Sequence, residues 1–334
     1  MMPRSGGGYK RGSGWVYPCR TGDGVGCLRV YTRGMDAFHA FWDGCRRTRL
    51  AQASVFRHGV PRLQDGLLVS TVHWIQSHGV EVGGWLCRPV SGEPVMGLVI
   101  SHGYGGRGAI DAARVPPGTI AFFPCMPGFD LSRSDRIPGV AAQHVLHGIA
   151  DRATYVLLDC VEATWRSFDL LAELCPGLPL VYEGESFGGG IGALALPGES
   201  RCAGGVLVVP TFGNHPARLL TPCCGSGEAV RQYHATHPEV VEMLQWYDAA
   251  TAAAGIACPV LVCAADADPA VPAVGQWSVA NAIRRGGVIR LSHGHATPPD
   301  EYRVVQDAWK RFLLGIAAAH PSGRIGGAQV PAKR

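Results

Sequence analysis

A serine flanked by glycines lies near the middle of the chain, directly after a short apolar segment. The stretch reads Leu180-Val181-Tyr182-Glu183-Gly184-Glu185-Ser186-Phe187-Gly188, and the residues from Gly190 to Leu196 are compatible with a helix. A serine on a sharp turn from strand to helix projects its hydroxyl clear of the sheet, and glycines beside it avoid collisions with neighbouring backbone. The helix also points free N–H groups at the place where an oxyanion would form. This pattern predicts a nucleophilic Ser186 and disfavours the alternative, a glycine-rich connection with an incidental serine.

A nucleophilic serine needs a histidine base, and the base needs a carboxylate that orients it. On this kind of turn the order along the chain is serine, carboxylate, histidine, with the last two on loops after later strands. The apolar segment 259–264 is followed by Asp266 and Asp268. Either carboxylate could instead cap the helix that starts near Pro272. We favour Asp268, because the Asp-Pro-x-x-Pro motif that begins with it fixes a turn at the sheet edge.

Two histidines follow the next apolar segment, 288–291, at positions 293 and 295. His295 comes after Gly294, which allows a tight turn at the end of the strand. His293 lies nearer the sheet, where the alternative is a hydrogen-bonded structural role. We therefore predict that His295 is the base.

The oxyanion donors are expected to be two backbone N–H groups. One belongs to Phe187, directly after the nucleophile, and the other comes from a loop after an early strand. The run Ser101-His102-Gly103-Tyr104 follows the apolar segment 95–101, which makes Tyr104 N–H the second candidate. Taken alone, His102-Gly103 could equally be an ordinary turn from strand to loop.

The elements that must position these residues follow from the alternation of apolar and amphipathic segments. An antiparallel hairpin is predicted at 68–76 and 80–88, because a short polar connection containing glycine joins the two strands. Apolar strands separated by helices then predict a mostly parallel sheet with helices on both faces. The predicted strands are 95–101, 119–123, 180–182, 205–209, 259–264 and 288–291, and the predicted helices include 35–50, 152–174 and 299–318.

The predicted domain organisation is a single domain at 35–318 between a basic leader and a tail. No strand is predicted between residues 211 and 255, and this helical insertion would lie above the strand ends as a lid or a pocket wall. Residues 1–34 are rich in Gly, Arg and Ser, and we predict that most of this leader is disordered. Residues 319–334 are predicted to be a tail.

The composition excludes several classes of protein. Apolar residues make up 47% of the 334 residues and charged residues 17%, which is sufficient for a large core and atypical of a disordered or fibrous chain. The net charge of +4 is concentrated in the leader, where glycines interrupt it and no aromatic stacking platform accompanies it, so no nucleic-acid partner is predicted. No apolar run is long enough for a signal peptide or a membrane span, and we expect a soluble, cytoplasmic protein.

The twelve cysteines are scattered through predicted strands and helices without a Cys-x-x-Cys pair. This distribution indicates neither a zinc site nor a disulfide framework and favours buried free thiols in a reducing compartment. No metal and no organic cofactor are predicted.

Taken together, these residues resemble the acetyl xylan esterase / cephalosporin-C deacetylase family of α/β-hydrolases. The resemblance extends over about residues 35–318 and includes these motifs: Phe38-His39-Ala40-Phe41-Trp42, Gly83-Gly84-Trp85-Leu86, Ser101-His102-Gly103-Tyr104, Gly148-Ile149-Ala150-Asp151-Arg152-Ala153-Thr154-Tyr155, Gly184-Glu185-Ser186-Phe187-Gly188-Gly189-Gly190, Asp268 with Pro272, and Gly294-His295.

The resemblance implies an α/β-hydrolase fold with a helical insertion near the active site, and a triad of Ser186, Asp268 and His295. It implies that Tyr104 and Phe187 supply the oxyanion amides, and that the protein assembles as a ring-like hexamer with inward-facing sites. The chain departs from the family where an Arg-Gly-Gln motif falls at Pro127-Gly128-Phe129 and where a glutamate falls at Ala296. The family's glutamine after the nucleophile is Phe187. We expect Gly128 and Phe129 to lie near the acyl pocket, and the rings of Phe129 and Phe187 to narrow it in favour of acetyl. Alternatively, the two rings could turn outward and open a hydrophobic slot for longer or aromatic acyl groups.

These inferences predict a serine carboxylic-ester hydrolase that removes a short acyl group, acetyl, from a sugar or another small polar alcohol. Two alternatives remain open at this point. The same triad could transfer the acyl group to another alcohol. The chain could also be a catalytically inactive hydrolase fold used for binding or assembly, since several polar residues of the family are replaced.

Overall fold

The computed structural model describes residues 35–296 and 298–320, together with the backbone of 9–11, 14–21 and 24–30. Those three leader segments form strands β1 (Tyr9–Arg11), β2 (Gly14–Thr21) and β3 (Gly24–Val30), which pair antiparallel in a small separate sheet. The prediction of a mostly disordered leader therefore does not hold for these segments, where valine, tyrosine and tryptophan favour extended backbone. The rest of residues 1–34, and residues 321–334 of the predicted tail, lie outside the described residues.

Ten strands form the main sheet within the described part of the chain. Their order across the sheet is β13-β12-β11-β10-β8-β9-β7-β6-β4, with β5 also paired to β6. The bounds are β4 Arg57–His58, β5 Arg62–Gln64, β6 Leu67–Ile75, β7 Glu81–Pro89, β8 Met96–Ile100, β9 Thr119–Pro124, β10 Leu180–Glu185, β11 Cys202–Val208, β12 Val260–Ala265 and β13 Gly286–Leu291.

The sheet is parallel from β9 through β8, β10, β11 and β12 to β13, and antiparallel from β9 through β7 and β6 to β4. The helices are α1 Met35–Arg49, α2 Ala141–His144, α3 Val156–Leu174, α4 Phe187–Ala195, α5 His215–Leu219, α6 Ser226–Thr236, α7 Val240–Leu244, α8 Ala249–Ala253, α9 Ala273–Ala282 and α10 Pro299–Ala319. Helices cover both faces of the sheet. Four of them, α5 to α8, come between β11 and β12 in the sequence. The predicted fold class is confirmed.

The core lies on the two faces of the sheet, to which alternate strand residues point. On β10, Leu180 and Tyr182 belong to the core beneath α3, α4 and α9, whereas Val181 belongs to the core beneath α10. Trp165 of α3 and Trp309 of α10 are almost fully buried on opposite faces. Removing a large apolar side chain of this kind from water stabilises a fold by about 1.5–3 kcal/mol.

Three element boundaries differ from prediction for local reasons. The α3 helix begins at Val156 rather than near residue 152, because the Asp151 carboxylate accepts the N–H of Ala153 and stabilises a turn before it. The β11 strand ends at Val208, since Val209 has a φ of 40°. Strands β4 and β5 were not predicted, because they are short, exposed edge strands without an apolar pattern.

None of the helices in the described part of the chain combines the length and apolar character of a membrane-spanning segment. The described cysteines are free thiols, and most of them are buried.

Candidate active site

Ser186 occupies the turn between β10 and α4 with the left-handed backbone that a nucleophile elbow requires. Its φ is 53° and its ψ is −109°, an unfavourable conformation for a residue with a Cβ. Hydrogen bonds on both sides hold the turn: Ser186 N–H donates to Val208 O over 2.8 Å, and Ser186 O accepts the N–H of Gly190 at 3.0 Å and of Thr211 at 3.1 Å. The neighbouring strand β11 and the segment after it thus hold the turn in its strained conformation.

The glycines around the serine are required by contact distances. A Cβ on Gly184 would lie 2.5 Å from Gly188 O, and one on Gly188 would lie 2.7 Å from Ser101 Oγ and 2.9 Å from His102 O. Real Cβ atoms do not approach backbone oxygens this closely, so a larger residue would displace either the helix or the 102–104 loop. The structure supports the steric reason given for the motif.

Asp268 and His295 meet although they come from different loops. Asp268 follows β12, His295 follows β13, and His295 Nδ1 lies 2.8 Å from Asp268 Oδ2. The Asp268 side chain is fully buried, whereas about a third (34%) of the His295 side chain is exposed. A carboxylate can only accept, so Nδ1 carries the proton and Nε2 is free to act as a base.

The Asp268 carboxylate receives three further hydrogen bonds. Its Oδ1 accepts the backbone N–H groups of Ala270 and Val271, at 2.8 and 2.9 Å. Its Oδ2 also accepts the side-chain amide of Gln276 on α9, at 2.9 Å. Gln276 could not be singled out from the sequence, because its role depends on α9 packing against the loop after β12.

The local electrostatics favour a charged pair. Burial acts to raise the pKa of Asp268, but the hydrogen bonds from His295, Val271 and Ala270 outweigh it and hold the pKa below its ordinary value. The hydrogen bond to Asp268 raises the pKa of His295 despite partial burial, and the charges of Asp268 and Glu185 add to the effect. His295 is therefore a stronger base than a free histidine.

The alternatives to the acid and the base have other surroundings. Asp266 is exposed, accepts the indole N–H of Trp277 at 3.0 Å and pairs with Arg290. His293 is also exposed, with Nδ1 lying 2.8 Å from Ser292 Oγ. The sequence argument for Asp268 and His295 thus coincides with the pair that the structure brings together.

The loop that carries Tyr104 is held by a neutral His102. Nε2 of this ring accepts the N–H of Met126 at 2.9 Å, so Nδ1 carries the proton and donates to Gly103 O at 2.7 Å. Burial lowers the pKa of His102 to about 3. His102 O in turn accepts the N–H of Gly188 at 3.0 Å, which ties the loop to the start of α4.

Among the described residues, the N–H groups of Tyr104 and Phe187 have no hydrogen-bond acceptor. Phe187 is the first residue of α4, where a helix leaves its N–H groups unpaired. Two unpaired amides on either side of the elbow are the arrangement that can stabilise an oxyanion.

Gly128 and Phe129 do not line the cavity beside Ser186 and belong to the wall behind it. The Phe129 ring is 5% exposed and packs with His144, at 4.9 Å between ring centroids, and with Tyr104, at 6.0 Å. Gly128 has a φ of +88°, and a Cβ there would lie 2.8 Å from Pro138 O. The expectation that Phe129 and Phe187 narrow the pocket directly is therefore wrong: both rings turn into the core, where apolar burial is favourable.

A cavity of about 350 Å³ contains the site. Ser186 and His295 both line it, together with Tyr104, Arg107 and Arg114. Gly225 and Ser226 of the helical insertion contribute to its wall as well, in line with the position predicted for the insertion. Sequence reasoning missed both arginines, although Arg107 lies only three residues after Tyr104.

The two arginines that line the cavity differ in whether a carboxylate lies near the guanidinium. Arg114 donates through Nε to Glu183 Oε1 at 2.8 Å, and its Nη1 lies 3.6 Å from Glu185 Oε2. The guanidinium of Arg107 has no carboxylate within 4.0 Å in the described part of the chain. Within that part, no group of three His, Cys, Asp or Glu side chains is arranged to hold a metal ion.

Solved structures of esterases have similar folds. An acetyl xylan esterase from Paenibacillus sp. R4 superimposes with a TM-score of 0.74 at 18% identity, covering 86% of this chain and 96% of that one. Acetyl xylan esterase 1 from Thermoanaerobacterium sp. JW/SL YS485 gives a TM-score of 0.72 at 15% identity, covering 84% and 94%. A methylesterase gives 0.57 at 18% identity, covering 84% of this chain and 63% of that one.

No protein-family model matches the sequence, and no curated protein matches it. At these identities the structural likeness establishes the fold. The chain has the α/β-hydrolase fold of the acetyl xylan esterases, as the sequence motifs implied.

Proposed function

We propose that the protein is a serine carboxylic-ester hydrolase that removes a short acyl group, acetyl, from a sugar or another small polar alcohol. The observation that carries the proposal is the shared cavity of Ser186, on a strained elbow, and His295, hydrogen-bonded to a buried Asp268. The esterase neighbours support ester hydrolysis as the reaction class.

In the proposed mechanism, His295 Nε2 takes the proton of the Ser186 hydroxyl as the oxygen attacks the ester carbonyl. Asp268 keeps the imidazole in the productive tautomer and stabilises the imidazolium that forms. The N–H groups of Tyr104 and Phe187 donate to the oxyanion of the tetrahedral intermediate. His295 then gives the proton to the leaving alcohol, and water, activated by the same base, hydrolyses the acyl-enzyme.

The size of the cavity supports a small substrate. Pockets for drug-sized ligands span about 300–1,000 Å³, and this cavity of about 350 Å³ must contain both the acyl group and part of the alcohol. Glycines 103, 105 and 106 contribute only backbone atoms to its wall. We therefore propose acetyl in preference to longer chains, on the basis of the cavity volume.

The test is covalent labelling of Ser186 with a fluorophosphonate, followed by turnover of acetyl, butyryl and octanoyl esters. Ser186→Ala should lose both labelling and turnover while keeping the wild-type circular dichroism and melting temperature. Residual turnover within about tenfold of wild type would contradict the nucleophile, because triad deletions cost far more. A folded wild type that neither labels nor turns over would instead favour the inactive binding protein.

Acyl transfer is the other enzymatic outcome of the same triad. To distinguish acyl transfer from hydrolysis, glycerol or a sugar is added to the acetyl-ester assay, and the ratio of acylated acceptor to acetate is measured. A predominance of acylated acceptor in dilute solution would indicate a transferase, since water, as the solvent, is in large excess over the acceptor.

The resemblance of the motifs also leads us to propose a homo-hexamer with the sites facing inward. The proposal predicts a light-scattering mass of six times the 35.4 kDa of one chain. A monomeric mass would remove the enclosed chamber but leave the chemistry of each site unchanged.

A further inference from the structure

We propose that the ester substrate carries a carboxylate, which Arg107 binds inside the cavity that contains Ser186. The inference rests on the proposed esterase function and specifies its substrate class. It is carried by one arginine in the cavity lining whose guanidinium has no carboxylate within 4.0 Å among the described residues.

Arg107 is half-buried and firmly placed. Its guanidinium carbon lies 4.8 Å from the centroid of the Phe123 ring, and its backbone N–H donates to Asp130 Oδ2 at 2.5 Å. Gly106 before it has a φ of +69°, and a Cβ there would lie 2.7 Å from the same carboxylate oxygen. The loop that contains Gly106 and Arg107 is thus held by a hydrogen bond from the Arg107 backbone to the Asp130 carboxylate.

The Arg107 guanidinium is left without a polar partner. Its Nε–H is buried and donates to no acceptor among the described residues, and no carboxylate oxygen lies within 4.0 Å of the guanidinium nitrogens there. Burial, and next the charge of Arg114, lower its pKa to about 10. A buried charged donor without an acceptor destabilises the free protein, so a carboxylate that binds to the guanidinium would remove this unfavourable contribution.

Arg114 provides the contrast within the same cavity. Glu183 and Glu185 both pair with it, so its charge is already neutralised. Asp111 also lines the cavity, and its Oδ1 accepts the N–H of Ala113 at 3.1 Å. Of the two arginines, Arg107 is the one that can present a free fork of N–H donors, which matches a planar carboxylate.

The cavity fixes where that carboxylate belongs. Since Ser186, His295 and Arg107 line one cavity of about 350 Å³, the ester carbonyl and the carboxylate must belong to one small molecule. The carboxylate can lie in the alcohol half, as in an acidic sugar, or in the acyl half, as in a dicarboxylic monoester.

The experiment compares charged esters with neutral amide isosteres. The alcohol-half pair is 3-acetoxybenzoate and 3-acetoxybenzamide, and the acyl-half pair is monophenyl succinate and phenyl succinamate. We expect kcat/KM to favour the charged ester by about 10- to 100-fold in one pair, because the amide isostere cannot form the hydrogen bonds between opposite charges that the carboxylate forms with Arg107. Arg107→Gln should abolish that preference, and Arg107→Lys should retain part of it. The control Arg133→Gln removes an exposed arginine outside the cavity lining and should leave the preference unchanged.

Two results would overturn the inference: no preference for a charged ester in either pair, or a preference that survives in Arg107→Gln. A binding measurement separates this from failure of the proposed function. Calorimetric titration of Ser186→Ala with each charged ester needs no turnover. Binding that is weakened about tenfold or more in Ser186→Ala/Arg107→Gln supports the carboxylate site even if the wild type hydrolyses nothing. Equal binding to both variants contradicts it.

Discussion

The side-chain amide of Gln276 donates to the same oxygen of Asp268, Oδ2, that lies 2.8 Å from Nδ1 of His295. Gln276 also links this carboxylate to the sheet, because its Oε1 accepts the N–H of Ala265 at the end of β12. The Asp268 carboxylate is thus held by both α9 and β12, and its position does not depend on the partly exposed His295.

Gln276→Leu should therefore reduce kcat without preventing folding. The substitution removes one donor from Asp268 and leaves Ala265 N–H unpaired, and we expect kcat to fall about 10-fold, the value of a lost hydrogen bond to a charged group. The matched control Gln143→Leu changes an exposed glutamine on α2. The measurement is kcat for an acetyl ester under steady-state conditions. Equal kcat values in Gln276→Leu and Gln143→Leu would show that Gln276 does not position Asp268.

The competing carboxylates and histidines can be separated by paired substitutions. Asp268→Asn and His295→Ala should each lower kcat by several orders of magnitude, because the base loses its orientation or is absent. Asp266→Asn and His293→Ala should lower kcat far less, because both side chains are exposed and neither belongs to the hydrogen-bonded pair of Asp268 and His295. If either pair showed the reverse ranking, the assignment of that triad member would have to be exchanged.

The pH dependence follows from the raised pKa of His295. Only the neutral imidazole can accept the serine proton, so kcat/KM should rise with pH through the pKa of His295, which lies above its ordinary value. Asp268→Asn removes the negative charge that raises the pKa of His295. The midpoint of the rise of kcat/KM with pH should therefore move to lower pH in this variant. An unchanged or higher midpoint, measured by rate profiles on an uncharged ester, would contradict the role given to Asp268.

The buried pair of Arg114 and Glu183 predicts a large change in stability. Glu183 is fully buried, and burial raises its pKa although Arg114 opposes the shift. Arg114→Leu leaves that carboxylate without its cation and should lower the free energy of unfolding by about 3–5 kcal/mol. Because the pKa of Glu183 in the folded variant then lies further above its unfolded value, stability should fall as pH rises through that pKa.

Denaturant unfolding of Arg114→Leu at several pH values checks both statements. The double variant Arg114→Leu/Glu183→Leu is the control, since it removes both charges and should recover most of the lost stability. A double variant no more stable than Arg114→Leu would show that lost packing against Trp309, which lies 5.6 Å from the guanidinium carbon, dominates instead.

The elbow could be predicted from the sequence because its constraints are local. Gly184 and Gly188 lie so close to each other and to the loop after β8 that neither position has room for a Cβ. The constraint therefore shows in the sequence as a strand, two glycines around a serine, and a helix within one short stretch. Asp268 could be preferred over Asp266 for a similar reason, since the backbone N–H groups that it accepts lie only two and three residues ahead.

The direction of the aromatic rings could not be predicted in that way. Phe129 follows a turn and Phe187 follows the nucleophile elbow. At either position the ring could point into the cavity or into the core. The choice depends on His144, which comes from another part of the chain and packs against both rings, at 4.9 and 5.6 Å between centroids. The free charge of Arg107 is likewise a result of the fold, because the glutamates of β10 reach Arg114 instead.

The strand that precedes the base lies at the edge of the main sheet. Along β13 only Leu291 is buried, and β13 pairs with β12 alone in the described order of strands. Backbone hydrogen bonds at an exposed edge open at a smaller free-energy cost than those of central strands. The distance between acid and base therefore depends on a strand pair at the edge of the described sheet. We expect the hydrogen bond between Asp268 and His295, and with it the activity, to be lost on warming before the sheet as a whole unfolds.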